Sequence, residues 1–174
     1  MSVYFIYNDK IKSFNPTYIL DGEAVLDATD IGFNTKLRAH SLKEKPGNLV
    51  QAKEIMKTKV RVLNLENSLS DAQVLFKKYG FHHLPIIENT KLIGLITSND
   101  LRNLEDLGTK SIKNYYSELI FAVSSNTPLK ILIKVFIHEE IHCLPVISEK
   151  GDLEGIITQK DILKWMLKYK KYKV

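Results

Sequence analysis

The chain writes one pattern twice. Gly94-Leu95-Ile96-Thr97-Ser98-Asn99-Asp100 returns as Gly155-Ile156-Ile157-Thr158-Gln159-Lys160-Asp161, and each copy follows a His-x-Leu-Pro. The first of these is His82-His83-Leu84-Pro85 and the second is His142-Cys143-Leu144-Pro145. Pro85 and Pro145 are 60 residues apart, whereas Asp100 and Asp161 are 61 apart. The extra residue falls in Ser148-Glu149-Lys150-Gly151-Asp152, a turn between two apolar runs. An insertion confined to a turn is what two copies of one structural unit show, and a duplicated unit fixes the architecture before any residue is interpreted.

Each copy reads as β-α-β-β-α. In the first, Val50–Met56 suits a short lead-in helix and Val60–Leu63 a short strand. Asn67 or Ser68 caps a helix running to Tyr79, with Gly80 at its left-handed end. Leu84–Ile87 and Leu92–Ile96 form a hairpin, and Thr97–Leu107 a closing helix ended by Gly108. In the second, Leu119–Val123 is the strand, and Thr127 with Pro128 at the first helical position opens a helix to about Ile137. Leu144–Ile147 and Leu153–Ile157 form the hairpin, and Thr158–Tyr169 the closing helix. A unit of roughly 50 residues buries too little surface alone. The economical α/β (α+β) arrangement packs the two repeats sheet to sheet about a pseudo-twofold axis, which leaves two equivalent clefts at the junction. The expected division is 1–48 as an N-terminal extension, 49–108 as the first unit and 109–174 as the second. In the extension, Val3–Tyr7 and Ile11–Phe14 around Asn8-Asp9 suggest a hairpin; the rest reads as loop, an arm packed on the body or on a partner subunit.

Composition excludes several classes. The chain has 174 residues, 44% of them hydrophobic and 26% charged, and a single cysteine, Cys143. One thiol allows neither an internal disulfide nor a thiolate cluster, so no metal is expected. No secretory leader and no apolar run of about 18 residues is present, so the chain is expected to be cytoplasmic and not in a membrane. The net charge of +5 permits an anionic partner without requiring one. Lys168–Lys173 reads as a solvated helix end rather than a nucleic-acid contact. No activated nucleophile, metal set or glycine-rich phosphate loop suggests an enzyme.

Thr97-x-x-Asp100 and Thr158-x-x-Asp161 have two readings from the residues alone. One is a capping box, with threonine and aspartate satisfying backbone N–H groups. The other is an anion site, in which helix N-terminal N–H groups and threonine meet phosphate while aspartate accepts from ribose hydroxyls. His82, His83 and His142, just before the repeated Leu-Pro, fit the second reading as phosphate-facing donors, since a phosphate readily draws an imidazole into its charged form.

From Ala52 to Trp165 the chain resembles a tandem pair of CBS domains, a Bateman module. The residues carrying the resemblance are Val60-Arg61-Val62, Phe81–Ile87, Leu92–Leu101 and their partners in the second half. Leu49–Met56 is similar to the lead-in helix of such modules. The resemblance implies a stand-alone, non-catalytic regulatory sensor, an energy sensor among its roles, that takes AMP, ADP, ATP, S-adenosylmethionine or a related adenosyl ligand in clefts between its domains. No cofactor is required beyond that regulatory ligand. By the resemblance, Asp100 and Asp161 would bind ribose, and Thr97 and Thr158 ribose or phosphate, with Asn99 and Lys160 beside them. His82, His83 and His142 would meet phosphates, and Val60 and Ile120, with their strand neighbours, would flank adenine. Cys143 stands where a basic residue often contacts phosphate, and Tyr115-Tyr116 replaces the usual lead-in; both departures tend to make the clefts unequal. The resemblance also implies a homodimer of domain pairs and a regulated protein partner. The alternative is a structural or protein-interaction module whose clefts hold no ligand and whose Thr and Asp act only as caps.

Overall fold

Residues 3–7, 10–14, 50–108 and 110–169 are described by the computed structural model of the chain. The first repeat opens with α1 (Ala52–Ile55) and continues into α2 (Leu69–Tyr79). The sequence stops α2 at both ends. The Asp71 amide donates to Ser68 Oγ at 3.2 Å, and the Ser68 amide donates to Asp71 Oδ2 at 2.8 Å. At the other end Gly80 takes φ 65°, and its N–H donates to the Phe76 carbonyl at 2.9 Å. Leu69, Ala72 and Phe76 bury one stripe of the helix.

Strands β3 (His83–Glu88) and β4 (Lys91–Thr97) then form an antiparallel hairpin pairing His83 with Thr97 and Ile86 with Gly94. The second repeat reproduces it. Here β5 is Ile120–Val123, α3 Leu129–His138, β6 Cys143–Ile147, β7 Leu153–Thr158 and α4 Gln159–Tyr169. Cys143 pairs with Thr158 and Val146 with Gly155. Even the register irregularity recurs, at Ile86/Ile87 and at Val146/Ile147. Pro128 is the N-cap of α3 rather than its first helical residue, a shift of one position from the sequence expectation.

The hairpin expected near the N-terminus forms, as β1 (Val3–Tyr7) and β2 (Lys10–Phe14). Its destination was not legible in the sequence. β1 pairs antiparallel with β5, so the second repeat's sheet has the order β2-β1-β5-β6-β7. Val3 and Ile6 are almost fully buried there. Exposed Lys10 and Lys12 sit on the outer strand, where charge discourages edge-to-edge pairing. The loop expected across 15–48 and the lysine run after Tyr169 lie outside the described residues.

Two expected elements do not form. Val60–Leu63 is not a strand: only Leu63 pairs, donating to the Pro85 carbonyl at 3.0 Å and accepting from Ile87 N–H at 2.9 Å. Its counterpart β5 is held straight by a neighbour on each side, β1 and β6, whereas 60–63 has β3 alone among the described residues. The helix expected over Thr97–Leu107 is a series of tight turns, with Asp100 N–H to Thr97 O, Arg102 N–H to Asn99 O and Leu104 N–H to Leu101 O. Ser98, Asn99, Asp100, Asn103 and Asp106 offer the backbone side-chain competitors for its hydrogen bonds. The matching stretch Gln159–Tyr169, rich in Lys, Leu, Met and Gln, stays helical.

Each repeat has an apolar cluster, centred on Leu69, Ile86 and Ile96 in the first and on Leu132, Leu144 and Ile157 in the second. Each takes in the other repeat's lead-in, Ile112, Tyr115 and Tyr116 in the first and Ala52 and Ile55 in the second. A third cluster joins them: Leu92 and Leu95 from the first repeat meet Ile120, Ala122 and Ile147 from the second and Tyr4 and Ile6 from the hairpin. The repeats are therefore packed sheet to sheet as expected. Their hairpin turns also bond directly, Leu92 N–H to Gly151 O and Leu153 N–H to Thr90 O, each at 3.0 Å, and the Thr90 hydroxyl donates to Asp152.

Candidate functional site

Two backbone crossings set the site. Lys57 and Ile156 exchange both N–H···O bonds at 3.0 Å. Leu95 and Ser117 do the same, at 3.0 and 2.9 Å. Lys57 and Ser117 are 60 residues apart, so the crossings are the same contact made once from each repeat. Each drives the lead-in of one repeat across the last strand of the other. The glycines of the repeated motif are what allow this approach. A Cβ at Gly94 would lie 2.0 Å from Cδ2 of Tyr116, and one at Gly155 would lie 2.8 Å from Sδ of Met56 and 2.9 Å from the Lys57 carbonyl.

On one side the crossing opens a cleft of about 570 Å³. The first repeat contributes Thr97, Ser98, Asn99, Asp100, His82 and His83 to its lining. Across from them stand Ile120 and Phe121 of β5, with Leu119, His142 and Cys143. Eight of the eleven expected nucleotide contacts are thereby distributed: Thr97, Asn99, Asp100, His82, His83, His142 and Ile120 share this cleft, and Val60 does not. Val60 lines a separate hollow of about 190 Å³ with Thr58, Val62, Ile87, Asn89, Thr90 and Leu153. Thr158, Lys160 and Asp161 line neither space. Phe121 and Leu119 line the cleft as the expected strand neighbours of Ile120, whereas Ser117 and Glu140, which also line it, were not expected from the sequence. Ser117 was detectable in principle, being the residue 60 positions from Lys57.

Asp100 accepts from Thr97 N–H at 2.6 Å and from Thr97 Oγ1 at 2.8 Å, and both bonds fall on Oδ2. Its Oδ1 has no partner among the described residues, and the side chain is exposed to the cleft mouth. The capping-box reading and the anion-site reading thus use different oxygens. Because no helix follows Thr97, a helix dipole adds nothing here, contrary to expectation.

The histidines are held by the motif itself. His82 Nδ1 lies 3.2 Å from Ser98 Oγ, and His142 Nδ1 lies 3.2 Å from Gln159 Oε1. Gln159 uses its amide Nε2 to donate to the Ile141 carbonyl at 3.0 Å, which leaves Oε1 as acceptor and assigns the His142 proton to Nδ1. His83 is half-buried. Burial lowers its pKa below the ordinary histidine value, His142 and His82 push it lower, and Asp100 opposes them. Cys143 is buried and its thiol is pushed far up, chiefly by that burial, so it is not a thiolate ligand. Among the described residues, no group of three His, Cys, Asp or Glu side chains converges as a metal site, and no helix is long and apolar enough to cross a membrane.

The second side differs. Asp161 accepts from Thr158 N–H at 3.0 Å and Thr158 Oγ1 at 2.6 Å, both on Oδ2, as Asp100 does. Its Oδ1 is taken by Lys57 Nζ at 2.6 Å.

Comparison with known proteins agrees with this architecture. The family model for the CBS domain matches residues 52–106 and 112–168. Inosine-5'-monophosphate dehydrogenase from Staphylococcus aureus is 35% identical over 105 residues, which is 59% of this chain and 21% of that protein. The Streptococcus pyogenes enzyme is 32% identical over the same shares of the two chains. The chain thus spans about a fifth of the length of these curated relatives. Among solved structures, the CBS domain pair of protein MJ0100 in complex with 5'-methylthioadenosine and S-adenosyl-L-methionine superposes with a TM-score of 0.63 at 22% identity, over 71% of this chain and all of that one. A putative acetoin utilization protein (AcuB) from Vibrio cholerae gives 0.64 at 23% identity, over 70% and 93%. CBSX2 in complex with AMP gives 0.63 at 19% identity, over 68% and 97%.

Proposed function

The chain belongs to the CBS-domain family, with two such domains in tandem, and from that premise we propose that it is a non-catalytic regulatory module binding an adenosyl ligand in its main cleft. The observation that carries this reading is the cleft of about 570 Å³ in which Asp100, with its unengaged Oδ1, faces the apolar wall of Ile120 and Phe121. A carboxylate oxygen is the acceptor a ribose diol calls for, and a flat apolar slot is what a purine ring requires. In this reading Asp100 binds ribose, Thr97 and Asn99 stand beside it, and His82, His83 and His142 meet the phosphates or their replacement. On the other side Thr158, Lys160, Asp161 and Val60 hold the matching sequence positions, but Asp161 is already engaged by Lys57. Similar structures carry 5'-methylthioadenosine, S-adenosyl-L-methionine and AMP, as their names state, which supports the ligand class and leaves the individual ligand to experiment. Because the cleft draws residues from both repeats, a ligand there changes how they sit together. We propose that this change is what a partner protein reads, in a cytoplasmic homodimer divided as 1–48, 49–108 and 109–174.

A melting-temperature panel with AMP, ADP, ATP, S-adenosylmethionine and NAD tests the reading. A binding ligand at about 100 times its Kd adds about 2.7 kcal/mol, which for a chain of this size raises Tm by about 5–10 °C. Asp100→Ala is expected to abolish the shift. No shift with any of these ligands would refute the reading.

A further inference from the structure

The two repeats place different side chains at the one position that faces the aspartate of the opposite repeat. The crossings Lys57–Ile156 and Ser117–Leu95 superimpose Lys57 on Ser117. Ser117 turns its hydroxyl to the Leu119 carbonyl at 3.0 Å and leaves Asp100 alone. Lys57 reaches instead to Oδ1 of Asp161 at 2.6 Å, and the carboxylate it meets is only 5% exposed while its own side chain is 60% exposed. The residues that follow differ too. Counting from the same crossings, Leu119 and Phe121 of the main cleft correspond in sequence to Lys59 and Arg61, and neither cation lines the hollow on that side. Arg61 in turn lies over the Tyr79 ring, 5.2 Å from its centroid. The hollow on that side, lined by Val60, does not include Asp161 or Thr158.

We propose that Lys57 is a built-in plug, a tethered ammonium that occupies the ribose-accepting oxygen of Asp161, so that the chain binds one adenosyl ligand, in the Asp100 cleft alone. An ammonium donor satisfies the carboxylate that a ribose diol would otherwise satisfy, and it does so at the effective concentration of a covalently attached group. A ligand entering the second side would have to expel Lys57 from Asp161. The pseudo-symmetry of the fold makes two sites; one lysine in place of serine removes the second. This inference rests on the adenosyl reading of the main cleft for its stoichiometry, but the ion pair itself can be tested without ligand.

The test is calorimetric titration of the full chain with AMP and, separately, with S-adenosylmethionine. The wild-type chain is expected to bind one equivalent, lost in Asp100→Ala and kept in Asp161→Ala. Lys57→Ser, which copies the first cleft, is expected to bind two, the second lost again on adding Asp161→Ala. Two equivalents on the wild type, one that depends on Asp161, or a single equivalent on Lys57→Ser that depends on Asp100 would each overturn the proposal. If the wild type binds neither probe while Lys57→Ser binds one through Asp161, the main-cleft reading fails and the plug stands; binding by no variant overturns both. A ligand-free arm uses melting temperature. Lys57→Ser is expected to lower Tm in the wild-type background and to leave it unchanged in Asp161→Asn, whereas equal drops in both backgrounds would show that the pair does not exist.

Discussion

Asp100 and Asp161 occupy the same place in the repeat and make the same two bonds to threonine, yet they sit in different surroundings. Asp161 is buried, which by itself raises its pKa, but the hydrogen bonds from Lys57 and Thr158 outweigh this and hold it below the usual aspartate value. A depressed carboxylate stabilises the fold above about pH 3.9, its unfolded value, and that contribution is lost as pH falls through the folded value below it. Acid unfolding followed by circular dichroism is therefore expected to be less steep below about pH 4 in Asp161→Asn than in the wild type. His83 acts in the opposite part of the range. Its depressed pKa means the unfolded chain takes up the proton first, so stability is full above about pH 6.5 and declines as pH drops from there towards the folded value. Replacement by Gln should flatten the stability profile below about pH 6.5. At neutral pH, urea titration of Asp100→Ala is expected to show a loss near the bottom of the range for a lost cap, about 0.5 kcal/mol. Asp161→Ala should lose about 1–2 kcal/mol, since the half-buried Thr158 hydroxyl and amide and the Lys57 ammonium lose a buried acceptor. Equal losses would mean that the burial difference has no energetic content.

At the scale of elements, the close crossing of each lead-in over the opposite hairpin is the contact most exposed to substitution. Gly94→Ala sets a methyl against the Tyr116 ring and near the Ser117 carbonyl at 3.1 Å. A ring held in the first repeat's apolar cluster cannot yield freely, and the expected loss is about 1–3 kcal/mol by chemical denaturation. An unchanged midpoint would mean that the crossing relaxes. The end of α3 contains a second local tension. Glu140 stands 60 residues from Gly80, and both take positive φ, 52° and 65°. Glycine adopts this conformation readily and glutamate does not. Glu140→Gly is expected to stabilise the chain by about 1 kcal/mol, although it alters the cleft wall that Glu140 lines. The helix missing after Thr97 belongs to this scale too. Ser98, Asn99, Asn103 and Asp106 are the local signal against it, one that the expectation of a helix over Thr97–Leu107 did not take into account. Duplication preserves topology; it does not oblige each copy to keep every helix.

For the molecule as a whole, the N-terminal hairpin is part of the second domain's sheet. Removing residues 1–14 would uncover the β5 edge and the apolar surfaces that Val3 covers on the second core and that Tyr4 and Ile6 cover on the junction cluster. Hydrogen exchange is expected to quicken in β5 and at Leu92 and Leu95 while α2 and its cluster stay protected. Loss of protection throughout α2 would show that the two domains do not unfold separately. The hairpin pairs with β5, and β5 supplies Ile120 and Phe121 to the main cleft, so the same truncation is expected to weaken adenosyl binding.

What the sequence determined by itself is the duplication, and with it the family, the two-repeat architecture, the two hairpins and the aspartate–threonine pairs. These are local patterns or comparisons of the chain with itself, and they need no knowledge of what packs where. The tertiary structure decided the rest. That Lys57 reaches Asp161, more than 100 residues away, and that Ser117 leaves Asp100 free depends on each lead-in crossing to the opposite hairpin, a contact no periodicity encodes. Equal motifs became unequal clefts because each aspartate's neighbours come from the other repeat, where the sequence had diverged.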